Sequence, residues 1–157
     1  MDGIDMDIIE KVIIDINEYL NDISRAKKVN NYTKIRYVDV YFRTKNKYKV
    51  FDGVKNKAGI YFFVNRGKVI YIGQSSLRTN KSSNWSMFDR LKQHFRERDR
   101  GSILNKISNC NLIKNERTYL VVVPIFNVDN GTKNRRVIMF LESYLIGKYR
   151  PKYNFVR

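Results

Sequence analysis

The chain has 157 residues, 43% of them apolar and 13% aromatic, which is enough for a packed core and too aromatic for a disordered chain. Lys and Arg number 31 against 15 Asp and Glu, a formal net charge of +16, so the fold carries a self-repulsion that a polyanion such as nucleic acid would relieve. No run approaches the ~18 apolar residues of a membrane span, and one Cys (Cys110) with one His (His94) excludes an internal disulfide and a Cys/His zinc cluster, with a reducing cytoplasm as the simplest compartment.

In chain order, Ile4, Ile8, Val12, Ile16, Leu20 and Ile23 recur at helical spacing and predict an amphipathic helix over 4–24. Residues 1–24 hold seven acids and one base, whereas the rest of the chain holds 30 bases and eight acids. The acidic helix is therefore either a docked helix with a wet face or a cover over a basic groove. Alternation over 35–42 predicts a strand, Thr44 to Lys47 a turn, and 48–51 a second short strand before the break at Asp52-Gly53. Residues 59–73 predict a hairpin whose three-residue turn, Asn65-Arg66-Gly67, pairs Val64 with Lys68 and sets Tyr61 across from Tyr71. Gly59 and Gly73 then lie at the far end, where missing side chains would let a bulky ligand approach the backbone. Residues 75–85 read as a loop, 86–97 as a helix with Met87, Phe88, Leu91 and Phe95 on its apolar side, and 102–109 as a short helix. Tyr119 to Val123 is a buried strand stopped by Pro124, Asn127 to Asn134 a loop, and 135–149 a helix ended by Gly147 and Pro151. This order predicts an α+β fold, a small three-stranded sheet flanked by helices over 58–157, with an N-terminal extension over 1–57.

Three features carry chemistry. Tyr61 and Tyr71 place two phenols on one hairpin, as a packing pair or as site residues. Arg90 and His94, at i and i+4, project from one side of a helix, as a solvated basic face or as a rigid phosphate fork with an imidazole beside it. Glu142 lies among Ile138, Leu141, Leu145 and Ile146, and a carboxylate on an apolar face needs a cation, either a structural Arg or a divalent metal.

Gly59-Ile60-Tyr61 followed by Tyr71-Ile72-Gly73, Arg90 to Phe95, Leu141-Glu142 with Leu145-Ile146, and Pro151 to Asn154 together resemble, in order, the motifs of the GIY-YIG nucleases. The resemblance covers residues 58–156. It implies a central three-stranded antiparallel sheet flanked by helices and a DNA endonuclease that hydrolyses phosphodiesters with Mg²⁺ or Mn²⁺ held by Glu142 as the single metal ligand. It further implies catalytic roles for Tyr61, Tyr71, Arg90, His94, Glu142 and Asn154. Tyr61 would act as general base, its phenol lowered by cations that outweigh desolvation. His94 would relay or accept the Tyr61 proton. Tyr71 would hydrogen-bond phosphate or water, Arg90 would clamp a phosphate oxygen, and Asn154 would anchor the tail. The alternative is a catalytically inactive nucleic-acid-binding module on a nuclease fold. DNA is the expected partner, without a membrane, and a double-strand cut would take a homodimer or two successive nicks. Arg66, Lys68, Lys92, Arg96 and Arg98, with Arg78 and Lys81 in the long loop after Gly73, are the expected phosphate contacts.

Overall fold

A computed structural model of the chain describes residues 3–23, 29, 31–76, 86–96, 98–106, 117–127 and 131–155, the side chains at 131–133 excepted. Helix α1 (Gly3–Asp22) is followed by strand β1 (Thr33–Arg36), helix α2 (Tyr37–Tyr41) and a 3₁₀ helix (Lys49–Val54). Strands β2 (Lys57–Asn65) and β3 (Lys68–Ser75), helices α3 (Met87–Gln93) and α4 (Ile103–Lys106), strand β4 (Thr118–Asn127), helix α5 (Gly131–Tyr149) and a closing 3₁₀ helix (Lys152–Asn154) complete the order. The sheet is antiparallel, in the order β1-β4-β2-β3. The three expected strands lie side by side with β3 at one edge, and β1 adds a fourth at the other. Among the described residues no helix is long and apolar enough to cross a membrane.

Side chains alternate across β2, so its two faces enter two cores. Ile60, Phe62 and Val64 pack with Ile9, Val12, Ile16 and Leu20 of α1 and Ile138, Leu141 and Leu145 of α5. Tyr61 and Phe63 pack on the other side with Tyr37, Phe51, Tyr71, Leu91, Phe95 and Tyr153. The N-terminal residues thus contribute a helix to one face, a strand to the sheet, and α2 with the 3₁₀ helix to the other face. Three acids of α1 and α2 have structural uses. The Asp5 carboxylate accepts from the Gly67 amide. Asp15 accepts from Lys148 Nζ at 2.8 Å and from the Tyr149 hydroxyl. Arg36 holds Asp39 through two 3.0 Å bonds. Helix α1 is docked on the sheet face opposite Tyr61, the first of the two readings of the charge split, and does not cover the Tyr61 side.

Several sequence expectations are corrected. The strand read over 35–42 is β1 only to Arg36, after which the chain turns helical. The Arg36–Asp39 pair at i, i+3 supports that turn, and it directs Tyr37 inward to stack on Phe95 at 4.3 Å between ring centroids. The strand read at 48–51 is part of the 3₁₀ helix, and Phe51 at its centre is buried. The hairpin turn has two residues, Arg66 and Gly67, both at positive φ (49° and 73°), the mirror-image turn that matches strand twist. Asn65 therefore pairs with Lys68, and a register shift between Phe63 and Val64 leaves Tyr61 opposite Gly73, with Phe63 opposite Tyr71. Pro124 does not stop β4. The β1 pairing ends at Val122, so Pro124 interrupts no ladder on that side, and a register shift near Ala58 and Gly59 accommodates it on the other. Helix α5 starts at Gly131 and runs through Gly147 to Tyr149. It ends at Arg150, whose φ of 47° takes the left-handed position and whose amide donates to Ile146 O at 2.8 Å.

Candidate active site

The site forms where β2, β3, α3 and α5 meet at the β3 edge of the sheet. Opposite Tyr61, a Cβ on Gly73 would lie 2.3 Å from Tyr61 Cζ and Oη, so the glycine is the bed on which the phenol lies. A Cβ on Gly59 would lie 2.1 Å from Val123 O, so that glycine serves strand approach. Neither glycine opens space for a ligand, contrary to the sequence expectation.

Ser86 starts α3 with a capping box. Its Oγ accepts from the Asp89 amide at 3.4 Å, and the Asp89 carboxylate accepts from the Ser86 amide at 3.3 Å and from its hydroxyl at 3.0 Å. Met87 and Leu91 are buried and fix the helix rotation. Arg90 then reaches Tyr61, its Nε donating to the phenol oxygen at 3.1 Å. Its Nη1 donates to Gln93 Oε1, Gln93 Nε2 donates to Asp99 Oδ1 at 2.5 Å, and Asp99 Oδ1 also accepts from the Gly101 amide at 3.0 Å. A Cβ on Gly101 would come within 2.5 Å of Gln93 Nε2 and 2.9 Å of Arg90 Nη1. Gln93, Asp99 and Gly101 therefore orient the guanidinium, and nothing in the sequence marked them.

His94, at the end of α3, is wholly buried. Its backbone carbonyl accepts from Tyr37 Oη at 2.5 Å, its Nδ1 accepts from the Ile103 amide at 2.9 Å, and its Nε2 lies 2.6 Å from Tyr61 Oη. A backbone amide only donates, so the neutral ring carries its proton on Nε2 and faces Tyr61 as a donor. Burial, then the charges of Arg90 and Lys106, push the imidazole well below its ordinary value and keep it neutral. This geometry opposes the expected acceptance of the Tyr61 proton by His94.

Tyr71 lies beside Tyr61, ring centroids 6.4 Å apart, and Lys106 Nζ is 5.4 Å from the Tyr71 ring centre. Burial, helped by the charge of Tyr71, holds the Tyr61 phenol well above its ordinary value, and Arg90 only partly offsets this. The expectation that cations outweigh desolvation is thus reversed in the protein by itself. Burial raises Tyr71 too, with Arg90 pulling it down. Burial opposes the Arg90 charge, but Tyr61, Tyr71 and Glu142 together hold its guanidinium above the usual value.

Glu142 projects from α5 at the border of the aliphatic core. Burial lifts its carboxyl to about 7, against the pull of Arg90. Among the described residues it has no hydrogen bond and no ion pair within 4 Å. Its charge acts on Tyr61, Tyr71 and Arg90, so the carboxylate belongs to their cluster. No group of three or more His, Cys, Asp or Glu able to hold a metal occurs among the described residues. Any cation here would meet one carboxylate and complete its shell with water or substrate oxygens, which suits a hard divalent ion.

Asn154 takes another place. Its amide nitrogen donates to Ile72 O at 2.7 Å and its Oδ1 accepts from the Ile72 amide at 2.8 Å, so it clasps the outer edge of β3. Arg66 and Lys68 lie at the hairpin turn. Lys92 is paired with Asp89 at 3.5 Å and lies over the Phe88 ring at 4.6 Å. Arg96 and Arg98 are exposed. Arg78 and Lys81, like Cys110, lie outside the described residues.

No family model matches the chain. A curated relative, the UvrABC system protein C of Fervidobacterium nodosum, is 29% identical over 107 residues, 68% of this chain; the chain spans 15% of that relative's length. A crystal structure of the GIY-YIG N-terminal endonuclease domain of UvrC from Thermotoga maritima, bound to magnesium as its catalytic divalent cation, is 27% identical, covers 71% of this chain and 99% of that domain, and superposes with a TM-score of 0.41. A point mutant of the same domain, bound to its catalytic divalent cation, is 26% identical over 70% of this chain and 97% of its own, with a TM-score of 0.40. The resemblance to GIY-YIG proteins read from the motifs is thus met again in these comparisons.

Proposed function

We propose that this chain is a GIY-YIG-type endonuclease that hydrolyses phosphodiester bonds of DNA with a divalent cation, Mg²⁺ or Mn²⁺, held by Glu142. The observation that carries the reading is the convergence of Tyr61, Tyr71 and Arg90 with a half-buried carboxylate that has no protein cation bonded to it. The metal-bound relatives lend further support.

Phosphoester hydrolysis needs an activated water and a neutralised phosphate. Bound at Glu142, the cation supplies positive charge against the phosphate and its leaving oxygen. Tyr61 Oη is the base that takes the proton of the attacking water. It must first ionise, which burial opposes, so the donors around it matter. Arg90 Nε–H and His94 Nε2–H both point at this oxygen and stabilise the phenolate. Tyr61 can pass its proton to the Tyr71 oxygen only as Tyr71 gives up its own hydroxyl proton to water, so the two phenols act as a relay. Arg90 uses Nε on Tyr61 and Nη1 on Gln93 and also bonds to Tyr71, and its remaining N–H donors are the ones to meet a non-bridging phosphate oxygen, where charge grows in the transition state. Asn154 acts at one remove by fixing the tail against β3 beside Tyr71.

The test is cleavage of supercoiled, linear, branched and single-stranded DNA with Mg²⁺, Mn²⁺ or EDTA. Arg90→Ala and Glu142→Gln should each lose about 10²–10³-fold or more in rate. Full activity of Glu142→Gln would remove the metal role, and a failure to cut any of these DNAs under any metal would overturn the nuclease reading.

A further inference from the structure

A groove of about 470 Å³ runs along the β3 edge past the hairpin turn, and its lining includes Ile8, Gly67, Lys68, Arg150, Lys152 and Tyr153. No acid lines it. Two acids of adjoining α1 bond to the groove's wall, Asp5 to the Gly67 amide and Asp15 to the Tyr149 hydroxyl and to Lys148. Among the described residues, Lys68, Arg150 and Lys152 have no ion pair within 4 Å, so three cations line one concavity without a bonded counter-charge, against the two carboxylates at its wall. Tyr153 is only 8% exposed, and its hydroxyl has no hydrogen-bond partner among the described residues. Lys152 Nζ lies 5.5 Å from its ring centre.

The backbone adds an independent sign. Arg150 sits at φ 47°, the position after a helix that glycine fills without strain. An arginine there carries a conformational cost that glycine would avoid, and strain of this kind gathers where a side chain is needed. The same turn is fixed in space by Asn154 on Ile72. Along β3, Lys68 is three residues from Tyr71, about 10 Å of strand. A nucleic-acid backbone winds about its axis, so neighbouring phosphates of a strand lie farther apart than the ~3.4 Å axial rise, and the groove lies one or two phosphates from a phosphodiester held at the Tyr61–Arg90 cluster.

We propose that this groove is a second anion site, which seats a non-scissile backbone phosphate of the same DNA one or two nucleotides from the cleaved bond. Lys68, Arg150 and Lys152 are its cationic ligands and the Tyr153 hydroxyl its neutral donor. The assignment of the other phosphate rests on the nuclease reading; the binding experiment does not.

Anisotropy of a fluorescent DNA duplex in EDTA, titrated over a range of KCl, tests it with the full chain. Arg150→Gly, which removes the cation and relaxes the backbone, should weaken binding several-fold and reduce the slope of log K against log salt by about one. Its thermal midpoint should hold or rise, which separates lost contact from lost fold. The double variant Lys68→Gln with Lys152→Gln should reduce the slope by about two. Lys45→Gln, in an exposed turn away from the groove, should leave the slope in place. An unchanged slope in Arg150→Gly, or an equal fall in Lys45→Gln, overturns the site and leaves only net charge. Competition by poly-glutamate as effective as that by an oligonucleotide of equal charge overturns the nucleic-acid assignment. If the slopes shift as expected and no DNA is ever cut, the groove stands and the nuclease reading falls; if cleavage proceeds with unshifted slopes, the reverse holds.

Discussion

The two faces of the sheet are built from different materials. Toward α1 and α5 the buried residues are, Phe62 apart, aliphatic, among them Ile9, Val12, Ile16, Ile60, Val121, Leu141 and Leu145. Toward α2 and α3 they are largely aromatic, and they enclose a hydrogen-bonded chain from the Ile103 amide through His94 and Tyr61 to Arg90, Gln93 and Asp99. Aliphatic packing is nondirectional and can be supplied by many residues. A polar chain inside a core stands only if each member is satisfied, so it admits few substitutions. Strand β2 serves both faces through alternate residues, and cohesion and chemistry share one backbone with separate side chains.

That division can be broken one face at a time. The largest effect belongs to Tyr61→Phe, which keeps the ring over Gly73 and removes the oxygen that Arg90 and His94 address. Cleavage should fall about 10²–10⁴-fold per folded molecule, measured as initial rates on the DNA that wild type cuts best, with about 1–3 kcal/mol of stability lost because the buried His94 Nε2–H is left without its acceptor. On the other face, Ile16→Ala should cost about 2–5 kcal/mol in denaturant unfolding while the rate per folded molecule is retained. A large loss of rate at full folding in Ile16→Ala would show that the faces are coupled.

Glu142 stands at the boundary and tests both sides. Its folded value of about 7 exceeds its ordinary 4.5, so between those pH values the folded chain binds more protons than the unfolded one. Its contribution to stability therefore declines as pH rises from about 4.5 to about 7 and stays low above that. Glu142→Gln should be more stable than wild type at pH 8 by on the order of 1–3 kcal/mol, and the gap should close near pH 4.5. Mg²⁺ should raise the wild-type midpoint at pH 8 and leave the variant unmoved. The smallest expected effect is that of Gln93→Leu. Releasing Arg90 Nη1 should slow cleavage on the order of tenfold with binding affinity little changed, since it loosens aim and removes no charge.

The catalytic-side residues were legible where chemistry follows spacing. Arg90 and His94 stand one helical turn apart, and a carboxylate amid Leu141 and Leu145 is conspicuous because it is costly. Gln93, Asp99 and Gly101 were not legible, because an amide relay closed by a bend has no period. Residues 37–41 alternate like a strand, yet Tyr37 stacks on Phe95, a partner 58 positions later, and tertiary packing overrides the local pattern. The hairpin register turned on two one-residue steps, the two-residue turn at Arg66 and Gly67 and the shift between Phe63 and Val64. Together they moved Tyr61 from Tyr71 to Gly73, which explains the glycine better than room for a ligand did.

The grip of Asn154 on both backbone groups of Ile72 has a consequence for the molecule's social behaviour. An outermost strand with free amides and carbonyls invites pairing with another chain, and here one side-chain amide imitates a neighbouring strand at that spot. Asn154→Leu should therefore make the protein stickier as well as less well aimed, with concentration-dependent multimers by light scattering before any loss of helix signal.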